Sequence, residues 1–198
     1  FWPTIRARLA AELDDFLVLD SSFRAHFGSR PIAAELRFGG ESALVVTLAN
    51  GRNIRFRGAI DRIDETADGE FVVVDAKTGA PGRYKSIPNE HFPNGSFLQL
   101  PIYALDAATE DRKATHAAYA FVGKVSESDR HLGYDIDDEV IAGFRRVLES
   151  VVHGIERGAF PHHPPESDRP ETHRCPYCSP DGLDARRVRT ARSRKAGD

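Results

Sequence analysis

Apolar residues recur at helical spacing near the start of the chain, where Ile5, Leu9, Leu13, Phe16 and Leu17 follow Pro3 and Thr4. This pattern predicts an amphipathic opening helix. A shorter segment follows from Asp20 to Phe27, closed by Gly28 and Pro31. The period then changes to two. Alternation in Ala33–Phe38 and Ala43–Leu48 predicts strands, and Asn50-Gly51 predicts a tight turn joining Ala43–Leu48 to Asn53–Ile63 as a hairpin. Asp68-Gly69 repeats the turn signal. The run Phe71-Val72-Val73-Val74-Asp75 has the continuous β-branched character of a central strand covered on both faces.

Residues 79–95 carry Pro, Gly, Asn and basic residues without a period, which predicts a long surface loop of the kind that contacts substrate. A helix is expected over Ser96–Ala108, with Pro101 tolerated near its first turn. Strands are expected at Thr115–Val122 and near His131–Ile136. The longest apolar stripe comprises Val140, Ile141, Phe144, Val147, Leu148, Val151, Val152 and Ile155, with Asp137 or Asp138 as cap and Gly158 as stop. From Pro161 the chain is rich in Pro and His and ends in a basic tail. There is no internal repeat. The organisation read from these shifts is an N-terminal helical segment (1–30), an α/β core with its long helix (31–160) and a His- and Cys-containing segment with the tail (161–198).

At 198 residues and 40% apolar content the chain buries a real core, most simply in one main domain. The sequence contains no apolar run of the roughly 18 residues a membrane helix needs and no signal-peptide pattern, so a soluble, cytoplasmic protein is expected. The net charge of −3 does not by itself point to nucleic acid. Its distribution is uneven, however, with six basic residues and no acidic one between Arg186 and Lys195. Cys175 and Cys178 stand too close together to staple a fold, which leaves a metal or redox pair or a simple knuckle-like turn.

The chemistry is carried by three residues. Asp61 lies on one predicted strand, Asp75 ends the next, and Lys77 follows two residues later, so Asp75 and Lys77 share a face while Ala76 leaves its carbonyl available. Two carboxylates and a main-chain oxygen are hard ligands suited to Mg²⁺ or Mn²⁺, and an ammonium beside them orients or deprotonates an attacking water. Phosphodiester hydrolysis fits that set. Taken alone, Asp-x-Lys is also an ordinary ion pair at a strand end. The reading gains from Gln99 and Tyr103, which helical spacing puts on one face, although such a pair is also common on half-buried helices. Arg83, Lys85, Arg186, Arg187 and Arg189, with the tail to Lys195, are candidates for contacts to a DNA backbone.

Gly58-Ala-Ile-Asp61-Arg-Ile-Asp64, Val74-Asp75-Ala-Lys77-Thr-Gly79 and Leu98-Gln99-Leu-Pro-Ile-Tyr103-Ala resemble, in order and spacing, the successive motifs of RecB-type PD-(D/E)XK nucleases. The resemblance runs from about Pro31 to the Cys178 region and includes Gly158-Ala-Phe-Pro161. It implies a restriction-endonuclease-like α/β fold with a mixed central sheet flanked by helices. It further implies Mg²⁺-dependent cleavage of DNA in repair or recombination, and a place at the C-terminus of a helicase or helicase-partner polypeptide or in a RecB-family exonuclease. Asp61 and Asp75 are then metal ligands, Lys77 the catalytic lysine, and Gln99 and Tyr103 its support. Glu35 resembles an acidic position of the family and is also readable as a solvent-facing strand residue.

Two features depart from the pattern. The family's metal-ligating histidine on an upstream helix has no match here, since His26 fits poorly, and Phe1 does not read as a natural start, so that helix is expected before it. Many relatives hold an iron–sulfur cluster with three C-terminal cysteines, whereas this chain has Cys175 and Cys178 and then Leu183 and Asp184. A Zn²⁺ site with His162, His163 or His173 is the other ligand set of suitable type. The alternative function is a non-cleaving, nuclease-like domain for DNA binding or helicase docking.

Overall fold

The computed structural model describes residues 2–159. Helix α1 (Trp2–Phe27) leads into strand β1 (Arg30–Phe38), followed by β2 (Leu44–Thr47), β3 (Asn53–Phe56), β4 (Gly58–Glu65) and β5 (Phe71–Lys77). Helix α2 (Gln99–Ala107), strands β6 (Ala114–Phe121) and β7 (His131–Asp135) and helix α3 (Asp138–Glu156) complete the order. Five strands form one sheet in the order β1-β4-β5-β6-β7, and β2 and β3 form a separate two-stranded ribbon. The sheet is mixed: β5 and β6 are parallel, while β1 with β4, β4 with β5, and β6 with β7 are antiparallel. Parallel pairing of β5 and β6 requires a crossover, and α2 lies within it. The chain divides into two compact units, residues 1–151 and 152–198.

Strand β5 is buried on both faces, as its unbroken apolar run requires. Phe71 and Val73 join the main core with Leu100, Tyr103, Ala104 and Ala107 of α2, a spacing that keeps one helix face on the sheet. Val72 and Val74 face the other way, against Phe16, Phe23 and Phe27 of α1. The two helices thus cover opposite faces of the sheet.

The opening stretch is a single helix of 26 residues, not a helix and a shorter segment. Its buried stripe also differs from the expected one. Leu9, Leu13 and Leu17 are about half exposed, whereas Phe16, Phe23 and Phe27 meet the sheet and Asp20 is buried among them. Asp20 ties the helix down: Arg24 Nε donates to its Oδ2 at 3.0 Å and Arg62 Nη2 to its Oδ1 at 2.8 Å, with His131 Nε2 at 3.6 Å from Oδ1. Arg62 Nε also pairs with Asp64 Oδ1 at 2.9 Å, and Phe23 stacks on His131 with ring centres 4.2 Å apart.

The expected hairpin arm Asn53–Ile63 divides at Arg57. Its first part pairs with β2 and its second with β1. The corner is possible because side chains are missing there: a Cβ at Gly58 would meet the Phe38 ring at 2.9 Å, and one at Gly39 would meet the Arg57 side chain at 2.8 Å. The 79–95 segment is not wholly a surface loop, since Tyr84 and Ile87 insert into the core and fold it into short 3₁₀ turns. At the start of α3, Val140 N–H donates to Asp137 Oδ1 at 2.7 Å, the expected cap. Val140, Phe144 and Leu148 are buried, whereas Val151 and Ile155 at the far end of that stripe are exposed. Among the described residues no helix is long and apolar enough to cross a membrane. Cys175, Cys178, His162, His163, His173, Arg186, Arg187 and Arg189 lie outside the described residues.

Candidate active site

Asp61 and Asp75 stand on neighbouring antiparallel strands, whose ladder runs from Glu65–Phe71 to Arg62–Val74. Immediately beyond its last pair, Asp61 accepts a hydrogen bond through Oδ2 from the Ala76 N–H at 2.8 Å. That bond fixes the first carboxylate against the strand that carries the second. On β5, Lys77 Nζ is ion-paired with Asp75 Oδ2, as the shared face of residues i and i+2 requires. Lys77 Nζ also donates to Gln99 Oε1 at 3.3 Å, and Gln99 Nε2 donates to the Tyr103 hydroxyl at 2.7 Å. Gln99 and Tyr103 sit one turn apart on α2, so Asp75, Lys77, Gln99 and Tyr103 form one connected polar chain. Asp61 is bound to the Ala76 backbone between Asp75 and Lys77, and together these five residues of β4, β5 and α2 make the polar assembly.

The direction of each bond matters. The ammonium has only donors, which sets the Gln99 amide with its oxygen toward Lys77 and its nitrogen toward Tyr103. The Tyr103 oxygen then accepts from Gln99, leaving its own proton to be donated elsewhere. Burial pushes the Tyr103 hydroxyl above its ordinary range, and the charges of Asp75 and Asp61 add to that, so it stays protonated at neutral pH. Burial likewise pushes the Asp75 carboxyl up, opposed by Lys77 and reinforced by the like charge of Asp61. Beneath the ammonium lies Tyr119, its ring centre 5.2 Å from Lys77 Nζ. The parallel register pairs Tyr119 with Asp75, a relation that follows from strand pairing and has no signal in the linear sequence.

Other residues named from the sequence lie outside this assembly. Glu35 is exposed and lies across the β1–β4 ladder from Asp61, between the pairs Ala34–Arg62 and Leu36–Ile60, with the unusual φ of +52°. His26 belongs to the opposite face of the sheet. It packs edge-on to Phe27, which meets His116 at 4.6 Å between ring centres. Arg83 lies over the rings of Tyr84 and Phe97, and Lys85 is held by Asp129 at 2.7 Å. Among the described residues no group of three or more His, Cys, Asp or Glu is arranged to hold a metal ion. What the site does offer is a pair of oxygen-donor carboxylates whose mutual repulsion a divalent cation relieves, with donors suited to Mg²⁺ or Mn²⁺.

The family model of the PD-(D/E)XK nuclease superfamily matches residues 3–181. The chain belongs to this superfamily. Its mixed sheet with flanking helices is accordingly a restriction-endonuclease-like fold. Among curated proteins it is similar to a subunit of the ATP-dependent helicase/deoxyribonuclease of Streptococcus pneumoniae (strain Hungary19A-6), 40% identical over 73 residues, or 36% of this chain and 6% of that protein. The exonuclease/helicase subunit RexB of Streptococcus pneumoniae serotype 4 matches with the same identity and coverage of 40%, 36% and 6%. The corresponding ATP-dependent helicase/deoxyribonuclease protein of Alkaliphilus metalliredigens (strain QYMF) is 28% identical over 134 residues, covering 64% of this chain and 11% of that protein. The RecB-type resemblance read from the motifs agrees with these relatives. The chain spans only 6% to 11% of their length.

Proposed function

We propose that the chain is the metal-dependent DNA nuclease domain of a helicase–nuclease, acting in DNA repair or recombination. The observation that carries this reading is the connected chain of Asp75, Lys77, Gln99 and Tyr103 with Asp61 fixed to the Ala76 N–H beside it, on three successive elements. Asp61, Asp75 and the Ala76 carbonyl would hold Mg²⁺ or Mn²⁺, which when bound polarises the scissile phosphate and lowers the pKa of a water molecule. Lys77 orients that water and offers positive charge to the phosphate oxygens as negative charge develops on them. Gln99 holds the ammonium in place, and the free proton of Tyr103 reaches toward a phosphate oxygen. Arg83 and the basic tail supply contacts to the DNA backbone, with a smaller share from Lys85, which Asp129 already pairs. The helicase partner and a cytoplasmic location come from the relatives and the soluble character of the sequence. Cys175 and Cys178 are candidate ligands for Zn²⁺ or an iron–sulfur cluster.

The test is cleavage of single- and double-stranded DNA by the full chain with Mg²⁺ or Mn²⁺, and with chelator. Asp75→Ala and Lys77→Ala should each lower the rate by about 10²-fold or more. Cleavage that persists in Asp75→Ala would refute the assignment. DNA binding by the wild-type chain without any metal-dependent cleavage would favour the non-cleaving domain instead.

A further inference from the structure

Beside the polar assembly lies a cleft of about 310 Å³ walled by Arg83, Tyr84, Ser96, Phe97, Gln99 and Tyr119. Gln99 belongs both to this cleft and to the chain linking Lys77 to Tyr103, so the two spaces adjoin. The Tyr119 ring that underlies Lys77 also forms part of the cleft wall.

Two features of the cleft bear on what it could hold. Phe97 has a φ of +60°, a left-handed conformation that costs a bulky side chain strain, although glycine would adopt it freely. Its ring is nevertheless fixed in the cleft wall, tilted against Tyr84 at 5.0 Å and half-buried, with part of its surface open. Strained backbone of this kind collects at ligand clamps. The second feature is Arg83. Its guanidinium stands 4.9 Å from the Tyr84 ring centre and 5.4 Å from that of Phe97, and Nη2 donates to the Tyr84 hydroxyl at 3.2 Å. Lys85, two residues on, is neutralised by Asp129, whereas Arg83 rests on the rings of Tyr84 and Phe97 and keeps its charge for an incoming anion.

The geometry points to this cleft as a subsite for one unpaired nucleotide next to the cleaved linkage. Its base stacks on Phe97 and the guanidinium plane, and its phosphate accepts hydrogen bonds from Arg83. The inference rests on the nuclease reading for the position of the cleaved linkage. Flat rings with a guanidinium are the combination that holds single-stranded nucleic acid without regard to sequence. A base inside a duplex is stacked on both faces and paired at its edge, so it cannot enter; the cleft therefore selects a single strand or a frayed end.

The experiment uses the full chain carrying Asp75→Asn, so that nothing is consumed, and single-stranded oligonucleotides with 2-aminopurine at successive positions. At one position, binding should quench the fluorophore strongly. Phe97→Gly, which suits the backbone conformation, should abolish that quenching and weaken binding about 10-fold. Arg83→Ala should weaken binding and reduce the salt slope by about one. The same oligonucleotide in a duplex should be bound at least about 10-fold more weakly. The inference is overturned if no position is quenched, if both variants bind and quench as the parent does, or if duplex binds equally well. Thermal unfolding of each variant reports its folding, and Arg83→Ala, in an exposed turn, stands as the second probe if Phe97→Gly unfolds. Cleavage by the wild-type chain, measured separately, decides the nuclease reading; a nuclease that tolerates both variants would sink the subsite alone.

Discussion

Two aspartates, one on each side of the central sheet, are almost equally buried, Asp20 at 3% exposure and Asp75 at 1%, yet their surroundings push them in opposite directions. On the α1 side, burial disfavours the Asp20 charge, but the nearby His131 imidazole and hydrogen bonds from Arg62 and Arg24 outweigh it and hold the carboxyl well below its usual range. On the α2 side, burial prevails at Asp75 because Lys77 alone opposes it and Asp61 adds a like charge. The difference is one of partners, not depth. A buried carboxylate matched by several donors holds a helix to a sheet; one left short of positive charge is ready for a cation or a reacting phosphate.

The sharpest test of this contrast is an isosteric swap at each position. Asp75→Asn should lower metal-dependent cleavage by about 10²-fold or more while leaving Tm unchanged or higher. A large drop in Tm would make Asp75 a structural residue like Asp20. Asp20→Asn should do the reverse, costing about 2 kcal/mol by removing the buried charge that part-buried Arg62 and Arg24 bond to, and so lowering Tm by about 4–8 °C, with cleavage per folded molecule retained. Loss of activity in the folded fraction would erase the distinction.

A smaller effect concerns His116, also on the α1 side. Burial pushes its imidazole below the ordinary value of 6.5; the Asp135 bond opposes this, while His26 and His131 add to it. The folded chain therefore binds this proton more weakly than the unfolded one. That contribution to stability is complete above pH 6.5 and is lost as pH falls from there through the depressed folded value. Tm should drop by a few degrees over that window, and His116→Gln should flatten the drop; an equal slope in the variant would remove His116 from the account. The smallest effect is expected at Lys85. Because Asp129 already neutralises it, Lys85→Ala should change the salt slope of DNA binding less than Arg83→Ala does.

How much of this was legible in the sequence depends on whether the signal is local. The β5 run announced a strand buried on both faces, and alternation along it put Asp75 and Lys77 together. Helical spacing paired Gln99 with Tyr103, and the Asp68-Gly69 turn brought Asp61 alongside. The buried face of α1 was not legible. Its sheet-facing positions are Phe16, Asp20, Phe23 and Phe27, so a charged residue interrupts the apolar stripe, while Leu9, Leu13 and Leu17 formed a more regular pattern on an exposed face. Asp20 reads as a core residue only once Arg62 and His131, 42 and 111 positions away, are known to face it. The cleft was hidden for the same reason, since Tyr84, Phe97 and Tyr119 converge from separate elements, and Phe97 carries no mark in the sequence of its left-handed backbone.

The five residues of the polar assembly come from one uninterrupted stretch, residues 61–103, spanning β4, β5 and the first turns of α2. Helix α1, the edge strand β7 and helix α3 frame that stretch but lend the assembly no chemical group. Such a site is portable. The surrounding layers are free to diverge, or to be remade for a different neighbouring protein, without the chemistry having to be reinvented, and a short ββα segment with a covered back suffices to carry it into a new host.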